Sequence, residues 1–191
     1  MPRQLMIGLS LFLTMLPGLP SLAAESLQID PSHTAIVFSW NHRGLSHPVA
    51  RLEKIHGNVL LDASDMAKSS VSVTLPLDGL RTGDDLLDKR LKGAEFFDAN
   101  NFPAITFTST NIEAAGGNAL KITGDLSVHG ITKSVVLNAT INKIIVGPDH
   151  KLTAGFDAEV MLRRSDFGVS RYVPMTSDEL SVHITLEAGQ E

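Results

Sequence analysis

The chain has 191 residues, a formal net charge of −5 and no cysteine. Without cysteine there are no disulfides, zinc–thiolate sites, lipoprotein anchors or cysteine nucleophiles, so the core alone has to hold the fold. The mildly acidic, evenly mixed charge argues against nucleic acid and against anionic lipid as general partners of the surface.

The first 23 residues read as a secretory signal peptide. Arg3 supplies a basic start, Leu5 to Leu16 form an apolar run, and Pro17, Gly18 and Pro20 end it before Ser21-Leu22-Ala23-Ala24. Cleavage after Ala23 puts small residues at both recognition positions, and residues 24–191 then form one domain in the periplasm. The alternative, an uncut anchor, fits less well, because the run is shorter than the roughly 20 residues a helical span needs.

Strand signals dominate the rest of the chain. Ile36, Phe38 and Trp40 alternate with Val37, Ser39 and Asn41, the period of a strand with one buried face. Val59 and Leu61, then Val71, Val73 and Leu75, repeat the pattern. Thr82-Gly83-Asp84-Asp85 then starts a helix expected over 83–92, with Thr82 as a cap, Leu87 and Leu91 on one face, and Gly93 as a left-handed stop. Residues 94–101 read as an irregular lid segment, and Phe102 before Pro103 is pushed extended into a strand at 104–112 carrying Ile105 and Phe107. Ala115-Gly116-Gly117-Asn118 is a turn. Leu126 and Val128 lead through His129-Gly130-Ile131-Thr132, a short hairpin, to Val135, Leu137, Ala139 and Ile141. Gly147-Pro148-Asp149-His150 is another turn, and Phe156, Ala158 and Val160 come after it. Leu180, Val182, Ile184 and Leu186 close the series with the cleanest alternation.

These signals describe an all-β fold: a single extended antiparallel barrel of roughly eight strands, with one short helix and an irregular lid. Closure removes the exposed edges of such a sheet. An eight-stranded barrel either fills its interior with side chains or holds one small ligand. The candidate lumen residues are Ile36, Phe38, Trp40, Val73, Ile105, Phe107, Leu126, Val128, Phe156, Val182 and Ile184. The candidate lid residues are Phe96, Phe97, Phe102 and Phe167, with Tyr172 at the rim. An ordinary filled core accounts for the same residue types.

Four sequence blocks then resemble one family. They are IDPSHTAIVFSWNHRGLS (29–46), TGDDLLDKRLKGAEFFDANNFPAITFTST (82–110), GDLSVHGITKSVVL (124–137) and RRSDFGV (163–169). In this order and extent they are similar to the YceI-like family of periplasmic and secreted barrels. That resemblance implies a lipocalin-like barrel with a long apolar interior, binding a polyisoprenoid lipid or the tail of an isoprenoid quinone without catalysis. It also brings a background of stress response and of a membrane redox partner. Two places depart from the family pattern. Arg90 stands where histidine is common, and Ile55-His56-Gly57 lacks the usual phenylalanine before glycine. Both bear on the pocket mouth.

Arg81, Arg90, Arg164, Arg171 and Tyr172 are candidates to receive a headgroup, the arginines because a planar guanidinium suits phosphate. For Arg164 a structural corner, paired with Asp166 or a neighbouring carboxylate, is the preferred reading. None of the seven histidines forms a helical i, i+4 metal-binding pair, so no metal is assigned. With no nucleophile elbow either, no catalytic residue is assigned. The rival to a lipid carrier is an accessory protein that docks to a membrane redox partner with the barrel as scaffold. A homodimer through an exposed edge beside the lid is a further option.

Overall fold

The computed structural model describes residues 24–191, and the expected signal segment, 1–23, lies outside them. Eleven strands and one helix run in order: β1 (Glu25–Ile29), β2 (Ala35–His42), β3 (Val49–Leu52), β4 (His56–Leu61), β5 (Ser70–Pro76), β6 (Leu80–Arg81), α1 (Asp85–Lys92), β7 (Ala104–Ala114), β8 (Ala119–Val128), β9 (Ile131–Val146), β10 (Leu152–Arg163) and β11 (Thr176–Gly189). Every pairing is antiparallel. Eight strands close in the order β1-β4-β5-β7-β8-β9-β10-β11, with β11 returning to β1.

The other three strands, β2, β3 and β6, are continuations rather than additions. β11 pairs with β2 from Thr176 to Thr185, then with β1 at Ala188 and Gly189. In the same way β3 runs into β4 and β5 into β6, so three strands of the barrel are each bent in two. The bends fall at 30–34, 53–55 and 77–79. Beyond them β2, β3 and β6 leave the closed ring, and β6 has no outer neighbour. The eight alternating runs of the sequence fall on β2, β4, β5 and β7 to β11, so the count matches the ring although β1, β3 and β6 carry no run of their own.

The bends are where packing is densest. Ile55, Leu77 and Leu80 are 2% exposed or less. Thr34, almost fully buried, bridges the first bend: its hydroxyl exchanges hydrogen bonds with the Glu187 backbone. At Gly57 a side chain would strike the Ser72 carbonyl, so the β4–β5 ladder approaches there as only glycine permits. β8 and β9 join through His129 and Gly130, both with positive φ (50° and 74°), the two-residue turn whose twist matches the strands it connects.

The helix begins at Asp85, two residues later than the sequence suggests. Asp84 is its cap, accepting from Leu87 N–H at 2.8 Å. Thr82 is not the cap: its hydroxyl and its N–H both donate to the buried carboxylate of Asp88, at 2.6 Å each. Gly93 is not left-handed either, with φ −73°. The chain does not reverse there, because the Gly93 carbonyl accepts from Phe96 and Asp98 N–H and starts a second turn; Asp98 takes the positive φ instead, at 47°.

Candidate functional site

Inward positions of nearly every strand face a single cavity of about 490 Å³. This lies within the size range of about 300–1,000 Å³ typical of small-molecule sites. Along β7 its wall runs from Ile105 to Ile112, roughly 20 Å at the rise of a strand. Almost all of that wall is hydrocarbon.

The cavity lining includes Ile36, Phe38, Trp40, Val73, Ile105, Phe107, Leu126, Val128, Phe156, Val182 and Ile184. Registers explain the convergence. Ile36, Phe38 and Trp40 pair across to Ile184, Val182 and Leu180, while Phe107 faces Leu126 across β7 and β8. The lid contributes Phe96 and Phe97, and the β10–β11 connection contributes Phe167 and Tyr172. Phe97 meets Phe38 edge-on with ring centroids 6.2 Å apart, so the lid is fastened to the wall by an aromatic contact.

Phe102 is the exception. It does not line the cavity but packs on the outside of the β8–β9 turn. Its ring meets that of His129 at 5.0 Å and occupies the space a side chain at Gly130 would need. Its N–H donates to the Asp98 carbonyl, which ties it to the lid segment just before β7 begins at Ala104.

Several lining residues escape the alternation argument. Leu87, Arg90 and Leu91 come from α1, and Met66, Ser69 and Ser70 from the single-turn helix before β5 and its flank. The Leu87–Leu91 spacing identifies that helix face. Nothing periodic marks Met66, an isolated apolar residue in a polar loop.

The opening to solvent at the lid end is marked by lining residues that are themselves exposed, His42, Arg90 and Tyr172; Asp157 on β10 is the other exposed residue of the lining. Of the five headgroup candidates, three are committed elsewhere. Arg81 donates to the carbonyls of Asp78 and Leu80. Arg171 pairs with Glu95 at 3.2 Å and lies over the Tyr172 ring. Arg164 touches the cavity but is a buried brace. It donates to the backbone carbonyls of Ser177, Val169 and Arg171 at 2.8 Å and of Thr176 at 3.1 Å. Asp166 is not its partner. Four carbonyl oxygens hold the guanidinium in place of a carboxylate, while burial pulls its pKa down from its ordinary value. Arg90 makes no side-chain hydrogen bond or ion pair among the described residues. Of the two departures from the family pattern, Arg90 therefore stands at the mouth, whereas Ile55 is packed away from the cavity.

Two polar groupings lie outside the cavity. Asp30, His33 and Glu187 bring three potential ligand atoms within 4.8 Å of one another. Hydrogen bonds already account for the first two: the Asp30 carboxylate accepts from Ser32 N–H and holds His33 Nδ1 at 2.7 Å. That contact lowers the Asp30 pKa and raises that of His33. Likewise Ser165 donates through N–H and hydroxyl to Asp178 and holds its pKa down.

A closed eight-stranded antiparallel barrel around one apolar cavity, capped by a helix and an aromatic lid, defines a lipocalin-like fold. The family comparison is specific: a YceI-like domain matches residues 27–188, and the chain belongs to that family. A UPF0312 protein of Vibrio cholerae is 30% identical over 185 residues, covering 96% of this chain and 97% of that protein. Protein YceI of Shigella flexneri is 29% identical over 191 residues, covering 99% of each. The crystal structure of the Campylobacter jejuni YCEI protein superposes with a TM-score of 0.69 at 28% identity, over 74% of this chain and 84% of that one. A polyisoprenoid binding domain from Saccharophagus degradans, 12% identical, has the same fold, with a TM-score of 0.67 over 86% of this chain and 98% of that one.

Proposed function

We propose that this protein is a non-catalytic periplasmic carrier that holds the chain of a polyisoprenoid lipid, or the tail of an isoprenoid quinone, in its barrel. The observation that carries the reading is the cavity: long, continuous and walled by hydrocarbon from lid to far end. Such a space suits a ligand made of methyl and methylene groups. Each methylene withdrawn from water contributes about 0.8 kcal/mol, so a few isoprene units account for tight binding without a charged contact at depth. The Saccharophagus degradans domain, described as polyisoprenoid binding, supports the same ligand class. The signal-like segment 1–23 supports export. A head group fits at the mouth, where Arg90 and Tyr172 are available to donate hydrogen bonds. Their exposure suits a phosphate or a quinone ring left partly in water.

Native mass spectrometry of protein purified without detergent, followed by organic extraction, tests this. A prenyl lipid or quinone in near one-to-one ratio is expected. A protein that stays free of ligand after incubation with polyprenyl lipids refutes the carrier reading and leaves the barrel as a scaffold for docking.

A further inference from the structure

The cavity mouth is surrounded by large apolar side chains that face water. Leu45, in the turn between β2 and β3, is 79% exposed; Leu86 on α1 is 80% exposed; and Met175, just before β11, is 60% exposed. Two of them come from loops tied together beside His42, and the third from the helix that carries Arg90. The Leu45 N–H bonds to the His42 carbonyl, and the Arg43 N–H bonds to that of Met175 at 3.1 Å, tying the turn to the loop. Leu86 lies one helical turn before Arg90, on the same side of α1. His42 and Arg90 are themselves residues of the mouth. None of the three apolar residues lines the cavity, so ligand contact does not explain them.

Their charged neighbours are of both signs. Arg43, Arg90 and Arg171 stand among them, with His42 and His47. Arg171 is paired with Glu95, and Asp84 and Asp85 directly precede Leu86 at the start of α1, so the arginines of this group without an ion pair among the described residues are Arg43 and Arg90.

We propose that this crown docks on the interfacial zone of a phospholipid bilayer, with the cavity mouth opening against the leaflet. Leu45, Leu86 and Met175 insert among the upper acyl chains, while Arg43 and Arg90 reach the lipid phosphates, the arrangement of a protein that lies on a membrane rather than crossing it. The inference rests on the isoprenoid-carrier reading and adds where loading happens. Each methylene lowers the aqueous concentration of a free prenyl chain about fourfold. A carrier that waits in water for such a ligand therefore waits long, and one that touches the leaflet takes it directly. A second copy of the chain is the lesser fit, because tips arranged around an opening offer no knob to fill an identical opening.

Co-sedimentation with liposomes of phosphatidylethanolamine and phosphatidylglycerol is the experiment, comparing the wild type with Leu45→Asp, Leu86→Asp, Met175→Asp and the triple variant. The wild type is expected to sediment with the liposomes. Each single change should weaken partitioning on the order of tenfold, and the triple variant should stay in the supernatant. All three sites are exposed, so the melting temperature should hold, and binding of farnesol from solution should match the wild type. If the triple variant fails to fold, the three single variants give the same readout. A wild type that ignores liposomes, a triple variant that binds them equally, or a crown that instead mediates a dimer in light scattering overturns the proposal. Failure of wild-type farnesol binding would overturn the carrier reading separately, because sedimentation does not depend on it.

Discussion

At the scale of single residues, the position that carries most is Arg164. It belongs to the RRSDFGV block, and a sequence reader pairs it with the nearest carboxylate. The fold gives it backbone carbonyls on both sides of the β10–β11 connection instead: Val169 and Arg171 from the loop, Thr176 and Ser177 from the start of β11. Such partners carry no sequence signature, since every residue has a carbonyl. This is why its structural role is legible from the sequence and its partners are not. Replacing Arg164 with leucine leaves several inward carbonyls without donors, at about 1–3 kcal/mol for each that water cannot reach. Urea unfolding should show a loss of roughly 3 kcal/mol or more. Arg164→Lys should recover little of it, because an ammonium on a flexible stem cannot reproduce a fork that serves four fixed oxygens. Full rescue by lysine would mean that the charge, and not the geometry, is what counts.

At the scale of elements, the lid depends on how α1 begins. Asp88 sits within the first turn, buried, and accepts two hydrogen bonds from Thr82. The Thr82 hydroxyl is the main reason its pKa is lowered, with the Thr82 N–H adding to it and burial opposing it. A carboxylate with a depressed folded pKa stabilises fully above its unfolded value, about 3.9, and loses that contribution as pH falls through the lower folded value. Thermal melts across an acid series should therefore show the wild type losing stability faster below about pH 4 than Asp88→Asn, which has no proton to bind there. Parallel pH profiles would show that Asp88 is not linked to folding. This element also shows where pattern reading stops. Alternation located the inward faces of the strands it marked, because a barrel wall has one apolar side and one wet side. Leu87 and Leu91 likewise marked the inner face of the helix. The exact cap, the extended Gly93 and the outward turn of Phe102 depend on contacts with distant segments. β3 and β6 are two to four residues long, too short for a period to show.

At the scale of the whole molecule, the barrel has two kinds of interior. Along the bends it is solid: Ile55, Leu77 and Leu80 are packed tightly and line no part of the cavity. Between the walls it is hollow, and Ala139 and Ala158, register partners on β9 and β10, keep a stretch of the wall low where larger side chains would project into the lumen. A hollow interior binds ligand in the native state only, so ligand must raise stability by mass action, about 2.7 kcal/mol at a free concentration one hundred times Kd. For a domain of this size each kcal/mol moves the melting temperature by about 2–4 °C. Saturation with a prenyl lipid should therefore raise Tm by roughly 5–10 °C. Ala158→Phe separates this from unspecific effects. Its ring enters the lumen beside Ile184, at a cost of about 1–3 kcal/mol if the wall has to adjust. The variant should fold and should gain far less from the lipid than the wild type does. An equal gain in both would place the ligand outside the barrel, and the solid bends and the hollow ring would then differ in packing but not in purpose.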